Sequence, residues 1–280
     1  MHLVKRAHEY SFLAPPVFAG HSQGYARAML VDSSCGSVHT GLSLNRLEPG
    51  GQLAPHLHSF EESVYILEGR LEATLGEASA ALGAGDFAVI KVGVLHALRN
   101  AGTEPVRWLE MNAPQPKAGG DPRDTFFPST AHLGVGRGQV VPTSHFDASQ
   151  IPPEDQRPAG LAKGVFLKWL IDEPFGAVHH RLVFIEYQPG AAIAPHDHTF
   201  EEAYFITGGE VEAVVDGERH LVGPGDVVWT AVGCVHSFKN IGSGPVRWLE
   251  TFSPQPPKEN VFRFRAEWDA RAADLEAEGP

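Results

Sequence analysis

The stretch PHLHSFEESVYILEGRLEA, residues 55–73, decides the fold, because the chain repeats it as PHDHTFEEAYFITGGEVEA at residues 195–213. The two copies lie 140 residues apart, from Pro55 to Pro195. The same offset relates PVRWLE at 105–110 to an identical PVRWLE at 245–250. Within each copy, short apolar runs alternate with polar residues and end at glycine or aspartate, as β-strands do. A gap-free match of this length indicates a tandem duplication of one β-domain.

The composition supports short strands and excludes several classes of protein. The chain has 280 residues, of which 42% are hydrophobic and 20% charged, so it can bury a sizeable core. Its 30 glycines and 22 prolines indicate many turns. A net charge of -12 argues against nucleic-acid binding, and no apolar run is long enough for a transmembrane helix. The N-terminus lacks the apolar core of a signal peptide, so a cytoplasmic location is expected.

The repeat also predicts the domain boundaries. The expected segments are an N-terminal arm at 1–35, a first domain at 36–116, a linker region at 117–164, a second domain at 165–257 and a C-terminal tail at 258–280. A short helix is expected in the tail, because Trp268, Ala272 and Leu275 fall on one helical face.

Two motifs recur in each half. The first half has Gly50, five residues, then His56-x-His58, Glu62 and Gly69, followed later by Gly85, Gly93, His96 and Asn100. The second half repeats this as Gly190, His196, His198, Glu202 and Gly209, then Gly225, Gly233, His236 and Asn240. This pattern resembles the two signature motifs of the cupin superfamily, and the resemblance covers both halves. One departure is the proline of the second motif, replaced by Lys91 and Ala231. The resemblance implies an all-β protein of two tandem jelly-roll barrels with a metal inside each.

The spacing of these residues has a physical reason. Side chains of a strand alternate between faces, so His56, His58 and Glu62 share a parity and can point into one barrel. His96 would supply a fourth ligand from another strand. The expected metal ligands are His56, His58, Glu62 and His96 in the first half, and His196, His198, Glu202 and His236 in the second. Three imidazoles and a carboxylate suit a divalent first-row metal, with iron or manganese expected and nickel, cobalt or zinc as alternatives. An octahedral ion would keep two cis positions open for a substrate.

The two pockets are expected to differ. Val64, Val89 and Leu98 of the first half correspond to Tyr204, Trp229 and Phe238 of the second. The second pocket is therefore predicted to be more aromatic, with the phenol of Tyr204 available as a proton donor. These three residues are the candidate catalytic pocket residues, and the second half is favoured as the reacting site.

Residues beside the ligands are expected to have structural roles. Glu61 has the opposite strand parity to Glu62, which favours a solvated or interface face. His179 and its counterpart His39 are expected to be structural rather than to orient a substrate. Arg107 is expected to form a charge pair with Glu110.

Three functions remain open from the sequence. A dioxygenase acting on a small chelating substrate such as a catechol, enol or β-diketone is favoured. A manganese enzyme without net redox change, similar to ureidoglycine aminohydrolases or to decarboxylases, is the main alternative. Oxalate decarboxylases carry a tryptophan directly after the ligand glutamate, whereas this chain has Ser63 and Ala203 there. A non-catalytic metal- or ligand-binding barrel is the third possibility. The expected partners are a small-molecule substrate and a second copy of the chain in a homodimer, with no nucleic acid and no membrane.

Overall fold

The computed structural model describes residues 1–116, 124–128, 141–147, 162–257 and 261–266, and these residues form an all-β structure. The first half contributes β1 (His2–Lys5), β2 (Ser22–Val31), β3 (Gly41–His58), β4 (Glu61–Glu68), β5 (Arg70–Leu75), β6 (Ala78–Gly83), β7 (Asp86–Ile90), β8 (His96–Arg99), β9 (Val106–Ala113), β10 (Thr125–Phe126) and β11 (Thr143–His145). The second half contributes β12 (Ala162–Ile171), β13 (Arg181–Ile193), β14 (His196–Asp197), β15 (Glu201–Gly208), β16 (Val211–Val215), β17 (Glu218–Val222), β18 (Val227–Thr230), β19 (His236–Lys239), β20 (Val246–Ser253) and β21 (Arg263–Phe264).

Helical structure is sparse in the described residues. Short 3-10 helices occur at Ala7–Glu9, Pro16–Phe18 and Ser33–Cys35. Among the described residues, no helix combines the length and the apolar character that a membrane span requires. Trp268, Ala272 and Leu275, which the sequence places on a C-terminal helix, lie outside the described residues, as does most of the predicted linker region.

The chain divides into two compact units, and each draws on both halves of the sequence. The N-terminal unit comprises Glu9–Gln150 and Leu170–Arg181. The C-terminal unit comprises Met1–His8, Ile151–Trp169 and Leu182–Pro280. The predicted arm is therefore divided: β1 pairs with β18 in the C-terminal unit, whereas β2 pairs with β3 in the N-terminal unit.

Each unit is built on one curled antiparallel sheet. In the N-terminal unit the strand order is β11-β7-β4-β9-β3-β8-β5-β6, with β2 and β10 also paired to β3. In the C-terminal unit the order is β1-β18-β15-β20-β13-β19-β14-β21, with β12 on β13 and the β16–β17 hairpin on β19. The tandem jelly-roll organisation expected from the repeat is confirmed.

Equivalent residues of the two repeats form the two cores. Ile66 and Trp108 are fully buried in the N-terminal unit, and Ile206 and Trp248 occupy the same repeat positions in the C-terminal unit. In each unit the isoleucine of one strand lies directly opposite the tryptophan of the next. Each isoleucine follows the ligand glutamate by four residues and so points to the same face of the sheet. The core therefore packs next to the predicted ligands.

Two glycines at the end of the repeated stretch are required by the backbone. Gly69 has φ +80° and Gly209 has φ +74°, a conformation that favours glycine. A Cβ at either position would also approach the carbonyl oxygen of Pro105 or Pro245 to 2.8 or 2.6 Å. Both glycines are therefore turn positions at which a larger residue would be strained.

Candidate metal centres

The N-terminal unit gathers its predicted ligands at one end of β3. His56 and His58 end β3, Glu62 lies on β4, and His96 begins β8 directly opposite His56. Each of the three histidines has one ring nitrogen that lies within 4.8 Å of a ring nitrogen of both others. The Glu62 carboxylate lies 3.0 Å from Nε2 of His58 and 3.9 Å from Nε2 of His96. All four side chains are buried.

The hydrogen bonds of this cluster fix which nitrogen faces the carboxylate. Nδ1 of His56 lies 2.7 Å from the carbonyl oxygen of Ala54, and Nδ1 of His96 lies 3.0 Å from that of Val94. A carbonyl oxygen can only accept, so in both rings Nδ1 carries the hydrogen and Nε2 keeps its lone pair. Nδ1 of His58 is 3.0 Å from the hydroxyl of Thr125, which belongs to β10. Anchoring of this kind is the usual arrangement behind metal-binding histidines.

The C-terminal unit repeats the arrangement. Here too, ring nitrogens of three histidines lie within 4.8 Å of one another, those of His196, His198 and His236. The Glu202 carboxylate lies 3.2 Å from Nε2 of His198 and 3.0 Å from Nε2 of His236. In all three rings Nδ1 contacts a backbone carbonyl oxygen, that of Ala194 at 2.7 Å, Val261 at 2.7 Å and Cys234 at 2.9 Å.

In this arrangement the lone pairs of histidine nitrogens face the lone pairs of carboxylate oxygens. Since Nδ1 of His198 holds the ring hydrogen, its Nε2 presents a lone pair to a carboxylate oxygen of Glu202 across 3.2 Å. Neither that nitrogen nor Oε1 of Glu202 has a hydrogen-bond partner, and Nε2 of His96 is in the same position in the other unit. Buried polar atoms without partners are costly. A cation between the nitrogen and the oxygen would satisfy both, so the residues present fit a bound divalent metal ion.

The pKa values favour the forms that bind metals. Burial, together with His96 and His58, lowers the pKa of His56 well below its ordinary value. Burial also lowers the pKa of His58 to about 4 and depresses those of His96 and His198. These four imidazoles are therefore neutral at pH 7, as a metal ligand must be.

The two glutamates differ. Burial raises the pKa of Glu62. Burial acts in the same direction on Glu202, but its neighbours His198, His236 and Tyr204, of which Tyr204 donates a hydrogen bond, outweigh it and lower the pKa of that carboxyl. The C-terminal cluster thus holds the more firmly ionised carboxylate.

The structure brings two of the three predicted pocket residues to the C-terminal cluster. The hydroxyl of Tyr204 donates to Glu202 and lies 2.9 Å from Nε2 of His236. The ring of Phe238 packs 4.6 Å from that of Tyr204. Trp229 is not part of this group, because it pairs with Ala203 rather than with Glu202, so its indole lies on the opposite face of the sheet. Thr230 is the residue opposite Glu202.

The N-terminal interior contains polar residues that sequence reasoning missed. Arg27 on β2 lies opposite Asn45, and its guanidinium is 3.9 Å from the Glu110 carboxylate. The hydroxyl of Tyr25 donates to Asn45 at 2.8 Å. Burial, followed by the charge of Glu62, raises the pKa of Glu110 to about 7. Tyr25 and Arg27 lie two residues apart on β2 and so share a face of the strand, which is the signal that could have revealed these polar interior residues.

The predicted pairing of Arg107 with Glu110 is wrong. Arg107 donates instead to Glu68 at 3.0 Å, and Glu110 accepts from the indole of Trp108. The cause is strand alternation, since Arg107 and Glu110 are three residues apart and fall on opposite faces of β9.

Glu61 lies on an internal interface of the N-terminal unit. Its carboxylate accepts hydrogen bonds from the backbone N–H groups of Val178 at 2.8 Å and His179 at 3.0 Å. Nδ1 of His180 lies 2.9 Å away, and Nε2 of the same ring contacts the hydroxyl of Ser63. Burial acts to raise the pKa of Glu61, but these donors together lower it. Glu61 therefore fastens residues 178–180 to β4.

Replacing Glu61 with alanine should lower the free energy of unfolding by about 3–5 kcal/mol, because it leaves buried donors without an acceptor. Denaturant unfolding of chelator-treated protein measures this change. Glu68→Ala is the matched control, since the Glu68 carboxylate is 59% exposed in its pair with Arg107 and should cost less than about 1 kcal/mol. Because the pKa of Glu61 is lowered in the folded state, its contribution should be present above pH 4.5 and lost as the pH falls through that lowered pKa. Equal midpoints for the two variants would contradict the assignment.

Comparison with known proteins identifies the fold family. The cupin domain model matches residues 43–112 and 183–252, together half of the chain. A segment of the chain is 33% identical over 100 residues to the polyketide synthase CurC of Streptomyces cyaneus, covering 34% of this chain and 65% of that protein. Another is 27% identical over 75 residues to the pectin degradation protein KdgF of Dickeya dadantii, covering 26% of this chain and 67% of that protein. The chain thus spans about two thirds of the length of these curated relatives.

Solved structures with a similar fold span almost the whole chain. The oxalate decarboxylase of Lactobacillus farciminis, in its formate complex, superposes with a TM-score of 0.68 at 16% identity, covering 96% of this chain and 90% of that one. A Bacillus subtilis oxalate decarboxylase studied for its Mn(II) centres gives a TM-score of 0.67 at 17% identity, covering 95% of this chain and 80% of that one. At such identity the likeness shows the fold alone. With the family model matching both repeats, the chain belongs to the cupin family and carries one cupin domain in each half of its sequence.

Proposed function

We propose that this protein is a metal-dependent enzyme that acts on a small chelating organic substrate, with one divalent ion in each cupin domain. The observation that carries the proposal is the facing of imidazole lone pairs and carboxylate oxygens across 3.0–3.2 Å in the C-terminal cluster. A cation is the simplest occupant that turns this repulsion into attraction. Manganese or iron is the metal proposed.

The residues of the C-terminal cluster have distinct parts in this proposal. His196, His198, His236 and Glu202 would hold the ion, which would supply positive charge to a chelated organic anion. The hydroxyl of Tyr204 contacts two members of this ligand set, Glu202 and His236. Its O–H is positioned to donate a proton to a substrate bound beside Glu202. The ring of Phe238 packs against one side of the tyrosine ring.

A lyase or decarboxylase reaction without net redox change fits this arrangement best. Such reactions create a carbanion or enolate that must be protonated, and Tyr204 is a buried proton donor next to the ligands. The structural likeness to manganese-containing oxalate decarboxylases supports the same class. The proposed substrate is a small chelating acid rather than oxalate specifically, because Ser63 and Ala203 stand where the oxalate enzymes have tryptophan.

A dioxygenase is the second candidate. Four protein ligands would leave two cis positions on an octahedral ion, which a bidentate substrate would fill, so dioxygen would react directly with the bound substrate. The polar interior of the N-terminal unit, with Arg27 near Glu110 and Tyr25 hydrogen-bonded to Asn45, would suit an anionic enolate or catecholate substrate.

The two candidates make opposite predictions for gas exchange. Protein loaded with Mn²⁺ or Fe²⁺ should release carbon dioxide from members of a panel of small keto and dicarboxylic acids without consuming oxygen. A dioxygenase would consume oxygen with catechols and β-diketones. An oxygen electrode and a carbon dioxide sensor in one vessel separate these outcomes, with chelator-treated protein as the control. Oxygen consumption in step with substrate loss would overturn the lyase assignment.

A homodimer and a cytoplasmic location stay predictions from the sequence. Sedimentation velocity on the full chain tests the first, with a single species of twice 30.3 kDa as the expected result.

A further inference from the structure

A second kind of ligand cluster lies on the β16–β17 hairpin of the C-terminal unit, separate from the four predicted barrel ligands. Glu218 and His220 lie two residues apart on β17 and therefore project from the same face of the hairpin. Strand β1 brings His2 to this face. Nε2 of His2 lies 3.6 Å and Nε2 of His220 lies 3.8 Å from the same carboxylate oxygen of Glu218.

We propose that His2, Glu218 and His220 form a third metal site, which takes a zinc-class divalent cation and fastens β1 to the hairpin. Four-coordinate zinc with bonds of about 2.0–2.2 Å places neighbouring ligand atoms about 3.3–3.6 Å apart. The two separations from Glu218 are close to this, and all three ligand atoms lie within 4.8 Å of one another, so a modest adjustment of the side chains would bring them to zinc-ligand spacing. Two imidazoles and one carboxylate are a usual zinc donor set, with water completing the coordination.

The hydrogen bonding of the cluster supports a cation at its centre. Nε2 of His220 is buried and has no hydrogen-bond partner, although it faces a carboxylate and a second imidazole. Nδ1 of His2 lies 3.5 Å from the carboxylate of Asp216. A carboxylate behind one ring nitrogen leaves the other nitrogen free for a metal, as in many zinc sites. Burial and the neighbouring His2 lower the pKa of His220, so its imidazole is neutral at pH 7.

The internal repeat shows that this cluster is separate from the barrel sites. At the 140-residue offset, Asp216, Glu218 and His220 correspond to Gly76, Ala78 and Ala80. None of these can ligate a metal. The cluster is therefore particular to the hairpin on which β1 lies, and it is not part of the duplicated motif.

A bound ion would strengthen contacts that already hold the N-terminal segment. Arg6 forms an ion pair with Asp226 at 2.8 Å, and the backbone N–H of Ala7 donates to the same carboxylate at 2.9 Å. These contacts lie at one end of β1, and the His2 site lies at the other. Zinc binding should therefore slow local opening of β1, since it stabilises the folded form only.

Zinc stoichiometry of single variants tests the proposal. Chelator-treated full-length protein is dialysed against buffered Zn²⁺, and bound zinc is counted by mass spectrometry. His220→Ala and His2→Ala should each bind one ion fewer per chain than the parent. Arg219→Ala is the matched control, because its side chain lies on the same strand, is 70% exposed and should leave the count unchanged. Hydrogen exchange of the Leu3 and Val4 amides should slow at least tenfold with zinc in the parent and in Arg219→Ala, but not in His220→Ala.

Each outcome bears on a different part of the proposal. If His220→Ala and Arg219→Ala bind equal amounts of zinc, the site does not exist. If His220→Ala loses an ion and His2→Ala does not, the hairpin binds zinc without β1 and the fastening role is wrong. The double variant His56→Ala/His196→Ala should retain the zinc-dependent protection of β1, which separates this site from both barrel clusters.

Discussion

Replacing His236 with alanine is expected to remove the metal ion of the C-terminal cupin domain and to leave that of the N-terminal domain in place. His236 lies on β19, and its Nε2 is 3.0 Å from the Glu202 carboxylate. Without this imidazole the ion would lose one of four protein ligands. Loss of a partner hydrogen-bonded to a ligand already costs about 10–100-fold in metal affinity, and loss of the ligand itself should cost more. Manganese content after loading and desalting should fall by one ion per chain.

His96→Ala is the matched variant, since His96 occupies the equivalent position in the first repeat. It should remove the N-terminal ion and spare the C-terminal one. If the C-terminal domain is the reacting site, activity should vanish in His236→Ala and persist in His96→Ala. The reverse result would show that the N-terminal domain is the reacting site. Full activity in both variants would contradict a metal-dependent reaction.

Replacing Tyr204 with phenylalanine should lower kcat by about 100- to 10,000-fold, the range that general acids usually contribute, and should leave the metal content unchanged. The change removes the hydroxyl that donates to Glu202 and lies 2.9 Å from His236, but keeps the ring that packs on Phe238. The fold should therefore be retained. Steady-state rates on the substrate found by gas exchange, together with metal analysis of the same sample, measure the two effects separately.

Tyr65→Phe is the control for this variant. Tyr65 is also buried, and its counterpart in the second repeat is Phe205, so the chain itself shows that phenylalanine fits there. Its rate should match that of the parent. An unchanged rate in the Tyr204→Phe variant would show that the hydroxyl of Tyr204 takes no part in the reaction. A variant that loses its metal would show that Tyr204 acts on metal binding rather than on proton transfer.

The ligand clusters could be predicted from sequence because their information is local. His56-x-His58 and Glu62 are close in the chain, and strand alternation alone puts them on one face. The resemblance to the second cupin motif, which recurs at the same offset, adds His96 and His236. The cupin fold followed from the same motifs, and the family model confirms it over both repeats.

Local pattern does not contain strand register, and register sets the features that could not be predicted from the sequence. Trp229 lies on β18, and its face is set by pairing with Ala203 on β15, across more than twenty residues. The partners of Glu61 come from residues 178–180, which no alternation rule connects to β4. Arg27 was missed because β2 lies before the repeated segment, so no second copy drew attention to it.

The exchange of segments between the two units has a consequence for the newly made chain. Residues 1–8 belong to the C-terminal unit, and β1 pairs with Val227–Thr230. At about 5–20 residues per second, the ribosome would deliver that partner strand roughly 10–45 seconds after β1. Residues 170–181 also follow the linker but complete the N-terminal unit around Glu61. A chain interrupted near residue 164 would therefore leave β1 without its partner strand and Glu61 without its donors, and such unpaired strand edges promote aggregation.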